Sequence, residues 1–210
     1  MPTTNQSGLN TLMSTANNSA QSISDTISRG SANMCNAIGQ VWGCPQAQEF
    51  ASDFQSKMNS VVQNFRENMT AFQANVNSNT QNYNQINKAS LSVPSVNYTD
   101  STINTSGIQG QLSSGDIGLV EGASDSVVND FKTAIDEMVS SVNSANSNIA
   151  SSGAFDDDES AAAAGMYSKL GNILTQSSTE LEESLRNYIN STIEQYGEIK
   201  RSNVNRSNNA

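Results

Sequence analysis

The residues that could do chemistry in this chain are few, and they lie far apart. There is no histidine among the 210 residues, so imidazole acid–base catalysis and histidine metal ligation are excluded. The carboxylates offer two clusters. Asp156, Asp157, Asp158 and Glu159 run consecutively, without the spaced oxygen ligands of a calcium loop. They suit the positive end of a helix dipole. Glu180, Glu182 and Glu183 could serve glycoside hydrolysis only inside a cleft, and their spacing puts them on a solvated helix face. No Gly-rich phosphate loop and no Gly-x-Ser-x-Gly elbow occurs. No catalytic residue, cofactor or metal is expected, and the chain reads as a non-enzyme. The two cysteines, Cys35 and Cys44, are too few for a disulfide scaffold. They are either separate thiols, as a reducing cytosol would keep them, or a single bridge formed outside one, because an antiparallel hairpin could bring them within reach.

Composition narrows the partners. The formal net charge is −10, which disfavours nucleic acid and anionic membrane surfaces. Only 35% of residues are hydrophobic and 14% charged; Asn, Ser, Thr and Gln make up the difference. No apolar run nears the roughly 20 residues of a membrane span. The first twenty residues lack the basic and apolar regions of a signal peptide.

The apolar residues are organised at helical spacing. Ala47, Phe50, Phe54, Met58, Val61, Phe65, Met69, Phe72 and Val76 recur at steps of three or four, followed by Tyr83 and Ile86. This predicts one helix from about Pro45 to Asn87, with Pro45 suited to its first turn. Upstream, Leu9, Leu12, Ala16, Ala20, Ile23, Ile27, Met34 and Ile38 form a second stripe, interrupted by Gly30 and closed by Gly39 as C-cap. Between the two helices lies the sole tryptophan, in "VWGCP". A third stripe (Val127, Phe131, Ala134, Met138, Val142, Ala145, Ile149) and a fourth (Tyr167 to Ile199) follow. The expected organisation is a first hairpin over 1–90, a linker over 91–118, a second hairpin over 119–201 and a disordered tail over 202–210. An offset of 113 places Trp42 on Phe155, Phe54 on Tyr167, Val61 on Leu174 and Tyr83 on Tyr196, the mark of an internal duplication.

A helix–turn–helix hairpin with tryptophan and glycine in its turn resembles the WxG family, the small ESAT-like substrates of type VII secretion systems. Trp42 and Gly43 occupy the signature, with Phe50 eight residues beyond the tryptophan, and "NYNQI" resembles the tyrosine region that closes the family's second helix. Phe155 replaces tryptophan in the second copy. Two features depart from the family. Cys44 stands where a glycine is usual, and neither Tyr188 nor Tyr196 is followed four residues later by an acid.

The resemblance implies an all-α fold: two antiparallel hairpins packed as an intramolecular four-helix bundle, a pseudo-dimer within one chain. Its core seam would comprise Phe50, Phe54, Phe65, Phe72, Tyr83, Tyr167, Leu174 and Tyr196, with Trp42 a partly covered cap over the bundle end. It also implies a monomer secreted without a cleavable signal peptide, whose partners are the secretion machinery or a co-secreted helical protein. Two other classes share these features: an extracellular helical structural protein of adhesin or flagellin kind, and a cytosolic chaperone of a secreted toxin.

Overall fold

The structure, a computed structural model, describes residues 4–112, 114–120 and 124–208; the side chains of Val127 and Phe131 lie outside what it describes. Four helices form an all-α bundle. Helix α1 spans Gln6–Val41. The Asn5 side chain caps it, accepting a hydrogen bond from the Gly8 N–H at 2.8 Å, which satisfies one of the orphan donors of the first turn. The chain then extends as a two-residue strand, β1 (Trp42–Gly43), and enters helix α2, Pro45–Asn87, with proline in the first turn. Those bounds match the sequence expectation. Lys88 ends α2 in the left-handed region at φ 50°. A second short strand, β2 (Gly118–Leu119), pairs antiparallel with β1, setting Trp42 opposite Leu119 and Gly43 opposite Gly118. Helix α3 covers Ser124–Ala150 and helix α4 Asp157–Asn208.

Two boundaries correct the sequence reading. Gly39 does not terminate α1, which continues to Val41. The expected disordered tail is helical, because Ser202–Asn208 prolong α4.

Partners within the bundle are antiparallel. Helix α1 lies on α3: Thr4 Oγ1 donates to the Ala154 carbonyl at 2.7 Å, and Ser19 Oγ meets Ser141 at 3.3 Å. Helix α2 lies on α4: Gln46 bonds Gln195 at 2.6 Å, Ser184 bonds Asp53 at 3.1 Å, and the rings of Phe72 and Tyr167 stand 5.5 Å apart. Helices α3 and α4 pack directly on one another, whereas the consecutive helices α1 and α2 barely touch.

What separates α1 from α2 is the segment expected to be a linker. Residues 91–112, here called the strap, run extended along the cleft between the two helices. At one end Ser92 bonds Gln6, and at the other Gly107 lies against Gly39. The lengths agree. The 33 helical steps from Gln6 to Gly39 rise about 50 Å at 1.5 Å each, and the 15 extended steps from Ser92 to Gly107 cover about 50 Å at 3.3 Å each. In section the order is α1, α3, α4, α2, strap, so the strap closes the ring. The traverse is forced by topology: α2 ends beside the start of α4, where Tyr83 bonds Glu159, while β2 lies at the opposite end beside Trp42.

Candidate functional site: the strapped cleft and the Trp42 turn

Only two apolar side chains of the strap are buried, Ile103 and Ile108. It is held chiefly through its main chain, by polar side chains of the flanking helices. Gln6 of α1 both donates to the Ser92 carbonyl (2.7 Å) and accepts from the Ser92 N–H (2.9 Å). Asn17 donates to the Ser95 carbonyl and accepts from the Asn97 N–H, each at 3.0 Å. Gln21 accepts from the Thr99 N–H at 2.8 Å, and Ser24 donates to the Thr99 carbonyl at 2.6 Å. Ser28 accepts from the Thr102 N–H at 2.9 Å. From α2, Asn84 grips both the N–H and the carbonyl of Leu91 (2.9 and 2.8 Å), and Gln73 reaches the Pro94 carbonyl at 3.3 Å.

These residues repeat at helical intervals. Gln6, Asn17, Gln21, Ser24 and Ser28 are separated by 11, 4, 3 and 4 residues, so they share one face of α1. They give an extended chain the pairing a neighbouring strand would give. The strap alternates in two short stretches. Leu91 and Val93 are partly buried on either side of Ser92. After a shift of phase at the partly buried Pro94, Val96 and Tyr98 are partly buried while Ser95, Asn97 and Thr99 face out. Tyr98 packs edge-on to Phe65 at 5.7 Å, and Asp100 pairs with Arg66 of α2. Sequence reading missed the site because it searched for helical period; the alternation of "LSVPSVNYT" was the available signal.

The end of the strap covers the turn. Trp42 is 1% exposed, which corrects the expectation of a partly covered cap. Its ring lies 5.8 Å from Phe50, which in turn meets Phe54 at 5.8 Å and Tyr188 at 5.7 Å. The cover comes from distant sequence. Strand β2 pairs with β1, the Val120 N–H donates to the Val41 carbonyl at 2.7 Å, and the strap backbone at Gln111 and Leu112 sits where a Cβ on Gly43 would stand. The indole N–H of Trp42 is buried with no hydrogen-bond partner.

Of the expected seam, Phe50, Phe54, Phe65, Phe72, Tyr83, Tyr167 and Leu174 are buried. Tyr196 is not: it is 37% exposed. Gln195 already sits opposite Gln46, in the first turn of α2, so α4 beyond that level has no α2 to pack on. Phe155, at the second turn, is buried 6.0 Å from the ring of Tyr83. The Tyr83 hydroxyl donates to Glu159. Burial, followed by that hydrogen bond and the charges of Glu159 and Asp156, pushes its pKa up to about 12. Tyr167 donates to the Ala16 carbonyl at 3.2 Å, and burial pushes it up to about 12.

Cys35 and Cys44 are buried free thiols. The bridge considered from the sequence is not formed, and burial pushes the Cys35 thiol up to about 12, well into its unreactive range. Asp156 caps α4, accepting from the Glu159 N–H at 3.2 Å. Glu180 and Glu183 are exposed, and Glu182 pairs with Arg186 one turn on at 3.1 Å. Among the described residues no cluster of cysteines and carboxylates converges to hold a metal ion, and no helix is long and apolar enough to cross a membrane. No protein-family model, curated protein or solved structure matches the chain.

Proposed function

We propose that this protein is a helical interaction protein exported by a type VII-like secretion machine, acting by contact with other proteins rather than by catalysis. The observation that carries the reading is the turn. Trp42 and Gly43 join two long helices, with Phe50 packed on the indole; these are the residues that carry the resemblance to WxG proteins, although the strap holds the two helices apart. A second hairpin in the same chain, with Phe155 buried at its turn, fits a duplicated member that needs no second copy to complete its bundle. A monomer belongs to this reading, with a solution mass near 22.3 kDa.

Fractionation tests it. In a host that carries such a machine, the protein should reach the medium, and deletion of the secretion ATPase should hold it in the cells. Release that ignores the deletion would place it instead among extracellular structural proteins. Retention in a complex with an exported toxin would make it a chaperone.

A further inference from the structure

The strap is gripped in a way that says little about its own side chains. Between Leu91 and Thr102, five backbone N–H groups and five carbonyls are bonded by side chains of α1 and α2. Three of those side chains, Gln6, Asn17 and Asn84, each hold a donor and an acceptor at once. Recognition of this kind reads an extended main chain and tolerates variation outside the few inward positions, as when a peptide adds to a sheet edge. We propose that the cleft between α1 and α2 is a peptide-recognition groove whose resident ligand is the strap. In trans it accepts an extended segment of another polypeptide that is apolar at alternate positions.

Three observations fit an occupant that can leave. The helices on either side have their own helical partners, α3 for α1 and α4 for α2, so each keeps a packed neighbour when the strap leaves. Of the strap's apolar side chains only Ile103 and Ile108 are buried, while Leu91, Val93, Val96 and Tyr98 reach the core from partly exposed positions. The closed strap also leaves the Trp42 indole N–H buried and unpaired, a penalty that opening relieves by admitting water. Departure of the strap would uncover the Trp42–Gly43 turn as well, so an incoming segment would both fill the groove and release the turn. The groove has this chemistry whether or not the protein is exported.

A tethered strap competes at an effective concentration on the order of millimolar, so the test weakens the strap and leaves the clamps intact. The variant Val96→Ser/Ile103→Ser/Ile108→Ser in the full chain should keep its far-ultraviolet helix signal. It should bind a fluorescein-labelled synthetic peptide of residues 89–110 at one to one by anisotropy, at least tenfold more tightly than the wild type does. Adding Gln6→Ala and Asn17→Ala should lower that affinity at least tenfold. A helical variant that takes up no peptide overturns the proposal. Where the variant loses its helix, native-state hydrogen exchange of the wild type decides. The amides of Ser92, Asn97, Thr99 and Thr102 should exchange at least tenfold faster than core amides of α1, through a separate opening. Exchange of both sets through one global event overturns the proposal.

Discussion

Gly39 of α1 faces Gly107 of the strap so closely that a Cβ on Gly39 would overlap the Gly107 carbonyl oxygen. The glycine is therefore a contact residue for a segment nearly seventy positions away. Gly39→Ala should push the strap off this end of the helix. Overpacking of this kind costs about 1–3 kcal/mol, against a small gain in helix propensity. The expected readout is a lower denaturation midpoint with Trp42 emission shifted to the red before unfolding, since the same strap end packs on Gly43 beside the indole. Unchanged emission would mean that the strap is elastic here.

Trp42 and Phe54 are equally buried, each 1% exposed, so their truncations should cost alike. Phe54→Ala and Trp42→Ala are each expected to remove about 3–5 kcal/mol, a large part of a typical stability margin. Urea unfolding followed by circular dichroism compares them, since loss of the only tryptophan removes the fluorescence signal. A Trp42→Ala variant of near wild-type stability would show that the turn tolerates the void.

The Asn17 clamp separates loss of a bond from loss of shape. Asn17→Asp keeps an acceptor for the Asn97 N–H but leaves the Ser95 carbonyl facing a carboxylate. Asn17→Ala loses both bonds. Leaving polar groups unpaired costs about 1–3 kcal/mol when they are buried, and less here because water reaches this edge of the strap. Both variants should be destabilised, with the aspartate variant recovering at low pH as its carboxyl gains a proton to donate. Equal stability of the aspartate variant at pH 3.5 and pH 7, relative to wild type, would rule out the donor role.

Alkaline pH should unfold the protein early. Tyr83 and Tyr167 titrate near 12 in the fold against an ordinary 10, and Cys35 near 12 against 9. Each folded-state pKa is raised, so the native state holds protons that the unfolded state gives up. The stability these groups contribute is fully present below pH 9. It falls from pH 9 for the thiol and from pH 10 for the phenols, until the folded values are passed near 12. Tyr83→Phe and Tyr167→Phe should flatten the decline between pH 10 and 12, which thermal melts across that range would register.

The helices were legible because their signals are local. Pro45 marks the start of α2, and an apolar stripe at steps of three or four carries it from Ala47 to Val76, with Tyr83 extending it toward Asn87. Tyr196 misled because a stripe records which face is apolar, and not how far the neighbouring helix extends. Ser202–Asn208 misled in the other direction: their asparagines and serines are poor helix formers, yet they continue a helix already nucleated many turns earlier. The depth of Trp42 was beyond local reading, since its cover is strand β2 and the strap end. The strap itself was hidden in composition. Asn17, Gln21 and Ser24 look like solvated low-complexity sequence until the extended chain they hold is placed beside them.

The wedge between α1 and α2 also sets the order of events on the ribosome. When Asn87 leaves the exit tunnel, both long helices of the first half are complete, yet they have almost no surface to offer one another. Their common neighbour is still being synthesised, and their other partners, α3 and α4, come later still. The nascent chain must therefore wait with two apolar stripes uncovered, closing long loops only near the end of translation. Such an interval is when chaperones engage a chain and when aggregation begins. A chain stopped at Lys88 should remain a loose pair of amphipathic segments, sensitive to protease and dependent on added partners.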